Sequence, residues 1–135
     1  MFTFAQCTDV EVTDLSVIHS SAWTLVPIFS QRVHFRRLHV GPGLAPFHSN
    51  TDGFDPMGSE NCSFQDSYYE GPGDDCVAIK SGIQVNWTVP YVDVCKRPTR
   101  HIYVNNVVGL HSALTHSPTC RGHTQTPVKT SSNPN

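Results

Sequence analysis

The stretch Thr8-Asp9-Val10-Glu11-Val12-Thr13-Asp14-Leu15-Ser16-Val17 alternates polar and apolar residues with a period of two. Successive side chains on a strand point to opposite faces, so one face of this segment is suited to burial. The shape returns in Gln31-Arg32-Val33-His34-Phe35-Arg36-Arg37-Leu38-His39-Val40 and in Glu60-Asn61-Cys62-Ser63-Phe64-Gln65-Asp66-Ser67-Tyr68-Tyr69. A fourth copy is Arg100-His101-Ile102-Tyr103-Val104-Asn105-Asn106-Val107-Val108. With Val10, Val33, Cys62 and Ile102 as anchors, the copies are offset by 23, 29 and 40 residues. A shorter apolar segment recurs between them: Trp23-Thr24-Leu25, Gly53-Phe54-Asp55, Cys76 to Ile79, and Ser112-Ala113-Leu114. No segment holds a 3.6-residue period over three turns, so almost no helix is expected.

Short strands that recur at such offsets point to a solenoid, in which each rung buries its face on the next. Inserted turns such as Gly41-Pro42-Gly43 and the Ser81–Pro98 excursion lengthen the gaps while the strands keep their pattern. The repeats share one polarity and lack two-residue hairpin turns, which favours a right-handed parallel β-helix over a sandwich. An open antiparallel sheet with irregular loops is the alternative. The expected fold class is therefore all-β, an incomplete right-handed parallel β-helix. Residues 1–115 form its partial domain. Residues 116–135, rich in Thr, Ser, Pro and Asn without a strand pattern, are expected to be a disordered tail.

The chain has 135 residues, a formal charge of −2 and 38% hydrophobic residues, which fits one soluble domain or part of one. Lys and Arg are scattered, so no basic field for nucleic acid is expected. No apolar run approaches the roughly 20 residues that cross a bilayer, so no membrane partner is expected. Met1-Phe2-Thr3-Phe4-Ala5-Gln6 lacks the charged and apolar regions of a signal peptide, and the chain reads as starting inside a repeat. Cys7, Cys62, Cys76, Cys95 and Cys120 contain no C-x-x-C pair. They argue against structural zinc and permit at most two internal disulfides. Asn61-Cys62-Ser63 and Asn86-Trp87-Thr88 fit the N-glycosylation pattern, which has meaning only in a secreted protein. No cofactor or metal is expected, and a monomer is.

Chemistry concentrates in Gly71–Gly82, GPGDDCVAIKSG. Asp74 and Asp75 follow a Gly-Pro-Gly turn and precede an apolar run, which places the pair at a strand entrance. Neighbouring carboxylates raise each other's cost of ionisation, and alternation gives them different environments, as acid/base work requires. A solvated acidic turn or a helix-start signal is the plainer reading of the dipeptide. If the short segments stack, Asp52 and Asp74–Asp75 lie on neighbouring rungs, with His111 one rung further. Asp55 could join them or cap a turn. Taken singly, Asn50-Thr51-Asp52-Gly53 is an ordinary turn and His111 a surface histidine.

Ser49-Asn50-Thr51-Asp52-Gly53-Phe54-Asp55-Pro56 and Gly73-Asp74-Asp75-Cys76-Val77-Ala78-Ile79-Lys80-Ser81-Gly82 resemble two signature blocks of the polygalacturonase-type glycoside hydrolases, glycoside hydrolase family 28. Ser21-Ala22-Trp23-Thr24-Leu25-Val26-Pro27 is similar to the family's segment on an earlier rung. The resemblance runs from about Phe2 to Thr115. It implies a right-handed parallel β-helix that hydrolyses pectic polysaccharide with inversion, outside the cell. By the same resemblance Asp74 is the general acid, Asp52 and Asp75 activate water, and His111 tunes the acid. An inverting enzyme needs its two carboxyls roughly 6.5–9.5 Å apart to admit that water. Asn50 and Lys80 are the candidate substrate contacts. Lys80 is either a partner for a sugar carboxylate or an exposed charge at a strand end.

The sequence also departs from the family. Leu110 stands where a glycine usually precedes the histidine, and no Arg-x-Lys block follows. The pattern is lost after Thr115, which points to a truncated or frame-shifted version of a longer gene. Two other readings therefore stand beside the hydrolase. One is a non-catalytic β-helix that binds polysaccharide. The other is a calcium-dependent, pectate lyase-like site built from Asp52, Asp55, Asp74 and Asp75.

Overall fold

The computed structural model describes residues 1–41, 50–70, 74–81 and 97–110. They form eight strands: β1 (Phe2–Ala5), β2 (Thr8–Thr13), β3 (Ser16–Ile18), β4 (Leu25–Ile28), β5 (Gln31–Arg36), β6 (His39–Gly41), β7 (Glu60–Glu70) and β8 (Arg100–Leu110). Every pairing is parallel. One sheet runs β2-β5-β7-β6-β3, with β8 on the other edge of β7, and a second sheet joins β1 to β4. Strand β7 is long enough to pair with both β5 and β6, so two short strands of one rung merge into one on the next.

The ladder carries the offsets read from the repeat. Val10 pairs with Val33, Gln31 with Glu60, and Cys62 with Ile102. The fold is an incomplete parallel β-helix. The first three short apolar segments also stack, each contributing one residue to the bridged column Leu25–Phe54–Val77. In the first segment Trp23 and Thr24 precede the strand, β4 begins at Leu25, and a second column follows through Ile28–Met57–Lys80. Strand β1 has no counterpart among the sequence expectations. It gives that column its first rung.

Alternation explains the core. Val33, Phe35, Cys62 and Phe64 are fully buried, and Val10, Val12 and Val104 pack against them from neighbouring rungs. Phe4, Phe35, Phe54 and Phe64 form a relay of ring contacts with centroids 5.5–5.8 Å apart. These are the tilted and edge-on spacings that aromatic quadrupoles favour.

Left-handed backbone residues also stack at the bends. Gln6, Phe29 and Gly58 occupy one bend, Asp9, Arg32, Asn61 and His101 the next, and Asp14, Arg37, Asp66 and Asn106 a third. Such φ values are costly outside Gly, Asn and Asp, so the repeating ladder imposes them on Phe29, Arg32 and Arg37. At Gly58 a Cβ would meet the Phe29 ring at 2.6 Å, so glycine serves both the φ of +53° and the space. Hydroxyls fill the junction after the first column. The Ser59 hydroxyl accepts from the Ser30 N–H and lies 3.0 Å from the carbonyls of Pro27 and Met57, while the Ser30 hydroxyl accepts from the Cys7 N–H. Buried backbone groups at this bend are thereby satisfied. On the outside, Asp9–Arg32 and Asp14–Arg37 pair across one rung, fully in solvent, and such pairs add little to stability.

Cys7, Cys62 and Cys76 form no disulfide with one another, and Cys95 and Cys120 lie outside the described residues. The sequence reading of a disordered tail also falls outside them.

Candidate active site

The column Leu25–Phe54–Val77 fixes the register of the acidic residues. Asp52 and Asp75 each lie two residues before a bridged partner, Phe54 and Val77, and so sit side by side on adjacent rungs. The Gly53 N–H donates to the Asp75 carbonyl at 2.9 Å, and the Thr24 N–H donates to the Asp52 carbonyl at 2.8 Å. Gly53 is required by space: a Cβ there would lie 2.5 Å from the Cys76 carbonyl oxygen and 3.1 Å from the Tyr69 ring. Only a hydrogen at this position lets the two acidic rungs close on each other.

The three candidate acids occupy different environments. Asp52 is 4% exposed, Asp75 is half-buried and Asp74 is exposed. The Asp75 N–H donates to Asp74 Oδ1 at 3.0 Å, which fixes the Asp74 carboxyl against its own turn. Behind them the buried Tyr69 hydroxyl donates to the Thr51 carbonyl, and burial pushes its phenol above the usual range.

Lys80 is not an exposed charge at a strand end, since its side chain is 12% exposed. It donates to Asp52 Oδ2 at 2.8 Å and to Asp55 Oδ1 at 2.6 Å, and stands 4.2 Å from the centre of the Trp23 ring. Two buried acids need a counter-charge, and among the described residues this lysine is the cation within reach of both. Asp55, fully buried, is likewise not a turn cap. Asn50 is exposed in a left-handed turn at φ +67°. His111 lies outside the described residues.

The sequence reading therefore missed the Asp55–Lys80 pair and the Trp23 ring beneath it. A signal for the pair was present. Strand alternation turns Asp55 and Met57 to the same face, and the Met57–Lys80 bridge stacks the lysine on that face one rung on. Among the described residues, no group of three or more His, Cys, Asp or Glu is placed to hold a metal ion. Lys80 occupies one oxygen of Asp52 and one of Asp55, two of the four carboxyls that the calcium reading would use.

Burial pushes the Asp55 carboxyl up to about 8, with the neighbouring Asp52 charge adding to the rise and Lys80 opposing it. Burial alone would lower Lys80, but Asp55 and Asp52 together hold it above its usual value. The linkage follows directly. An acid raised in the folded state contributes stability that is complete below its ordinary value of 3.8 and lost as pH rises through about 8. Lys80 loses its contribution only above 10.5, outside that window. The exposed pairs act in the opposite sense, because Asp9 and Asp14 are lowered by Arg32 and Arg37 and lose their contribution as pH falls below 3.8. The expected result is a urea midpoint that falls steadily between pH 5 and pH 8. A midpoint that stays level or rises across that range would contradict the buried acid.

The comparisons with known proteins bear on this arrangement. The family described as "Glycosyl hydrolases family 28" matches residues 1–96. A probable polygalacturonase of Vitis vinifera is 36% identical over 75 residues, covering 55% of this chain and 14% of that protein. The chain thus spans only a small part of that relative's length. No solved structure matches. With a parallel β-helix, two acidic rungs in register and a family match over most of its length, the chain belongs to the glycosyl hydrolases of family 28.

Proposed function

We propose that this chain carries the acid/base part of an inverting hydrolase that cleaves α-1,4-galacturonosyl linkages in pectin. The observation that carries the reading is the Gly53–Asp75 hydrogen bond, which sets Asp52 and Asp75 on adjacent rungs with Asp74 exposed beside them. In this reading Asp74 is the general acid that protonates the leaving oxygen. Asp52 and Asp75 hold and deprotonate the attacking water. The differing exposure supports the division, because an acid and a base working together need environments that separate their titrations. His111 tunes the acid, and Asn50 contacts the substrate. Residues 1–115 are the catalytic portion, and the working protein acts outside the cell on cell-wall polysaccharide.

The test is Asp74→Asn, assayed on polygalacturonate by release of reducing ends. Loss of the general acid is expected to lower turnover by about 10²–10⁴-fold with polymer binding retained. A wild-type chain that binds pectin without releasing product would overturn the reading in favour of a non-catalytic binder. An unsaturated, ultraviolet-absorbing product whose formation stops with a chelator would favour a lyase.

A further inference from the structure

Among the described residues, two buried oxygens near this site have no hydrogen-bond partner: Asp52 Oδ1 and Asp55 Oδ2. Each belongs to a carboxyl whose other oxygen accepts from Lys80 Nζ. Because both accept from the same ammonium, the two carboxyl groups are neighbours, and the Asp52 charge adds to the rise of Asp55. Buried polar atoms are satisfied in folded proteins almost without exception, so a pair of orphans on neighbouring carboxyls calls for an explanation. Two carboxylates cannot hydrogen-bond unless one of them carries a proton. A single proton supplies the missing donor and serves both orphan oxygens at once. It also closes the charge balance, since one ammonium, one carboxylate and one neutral carboxyl sum to zero in a site that is almost free of water.

We propose that Asp52 and Asp55 share one proton, carried on Asp55, and that Asp55 and Lys80 together are positioning residues that fix the Asp52 carboxyl from behind. Lys80 anchors one oxygen of each acid, and the Asp55 hydroxyl donates to the second oxygen of Asp52. That oxygen keeps a second lone pair for a further donor. The bearing of this device on hydrolysis rests on the function proposed above, whereas the shared proton does not.

Among the described residues, Lys80 is the cation that faces the pair, and its ammonium stands over the Trp23 ring. From the neighbouring strand, Tyr69 spends its proton on the Thr51 carbonyl and so supplies no donor to either acid. The Cys76 thiol and the Asp74 carboxyl interact electrostatically with the Tyr69 hydroxyl from the next rung.

The isostere Asp55→Asn gives the sharpest test. An amide accepts from Lys80 through its oxygen and donates to Asp52 through its nitrogen, as the protonated acid would. Carboxyl carbon NMR of the whole chain, labelled at aspartate, reads the titration without any need for catalysis. In the wild type, one buried aspartate is expected to titrate near pH 8, and in Asp55→Asn that transition disappears while the urea midpoint at pH 5 stays unchanged. Asp55→Ala, which offers no donor, should lower the midpoint. Both carboxyls titrating below pH 5 in the folded wild type would overturn the proposal. So would an Asp55→Asn midpoint as low as that of Asp55→Ala. A transition near pH 8 in a chain that hydrolyses nothing would support the shared proton and count against the hydrolase reading alone.

Discussion

Replacing Lys80 by methionine is expected to destabilise the fold by about 3–5 kcal/mol near pH 8, as removal of one partner from a buried charge cluster does. The side chains of Asp52 and Asp55 are 5% and 0% exposed, and Lys80 is their shared counter-charge. Methionine fills most of the lysine's volume and keeps contact with Trp23, so the loss reads charge and not a cavity. Lys80 opposes the rise of Asp55, so without it the Asp55 transition moves above its wild-type position near 8. Between pH 5 and pH 8 the variant keeps Asp55 neutral but leaves the Asp52 charge buried without its counter-charge, so the deficit relative to wild type should be nearly level there. Above pH 8 the wild type ionises Asp55 beside Lys80 while the variant resists it, and the deficit should grow with pH, measured by urea unfolding at each pH. A deficit that stays level above pH 8 would mean that Lys80 does not act on the charge of Asp55. Lys80→Arg keeps the charge and should recover part of the loss.

Phe54→Ala is the second large effect, about 3–5 kcal/mol for a fully buried aromatic. The Phe54 ring bridges Phe35 on one rung and Phe64 on its own; its N–H donates to the Cys76 carbonyl and its carbonyl accepts from the Ala78 N–H, while Gly53 and Asp55 on either side bond to Leu25. Asp52, Gly53 and Asp55 flank it, so the cavity opens beneath the acidic residues themselves. Phe2, in the same column but 41% exposed, supplies the control, and Phe2→Ala should lose only a fraction of that amount. Equal losses at the two positions would show that the column is not packed as a continuous core. The variant should also weaken any activity more than its folded fraction explains, because Gly53 and Phe54 hold the Asp52 rung to the Asp75 rung.

Much of the fold was legible because a solenoid repeats its own local rule. Alternation along Thr8–Val17 and its copies identified the buried face, and the offsets of the anchors supplied the register. The pairs Asp9–Arg32, His34–Ser63 and Asp66–Asn106 span 23, 29 and 40 residues, as the repeat requires. The short column was harder to read. Bridges at Phe54 and Met57 are two isolated contacts three residues apart, too few for periodicity to mark an edge. The bends were legible only in part. Their left-handed positions hold Asp9, Asp14, Gly58, Asn61, Asp66 and Asn106, which favour such backbone, but also Gln6, Phe29, Arg32 and His101, residue types that give no turn signal.

By itself the sequence determined which residues stack, because stacking follows from spacing, and spacing survives in one dimension. It therefore placed Asp52 near Asp74 and Asp75, and through two long blocks it pointed to the family. Tertiary structure alone decided what each acid experiences. Whether a carboxylate is solvated, paired or forced to keep its proton depends on the side chains that reach it across rungs and on how much water they exclude. Lys80 shows the difference most plainly. In the sequence it is a charge at a strand end, and in the fold it is the cation around which Asp52 and Asp55 are arranged.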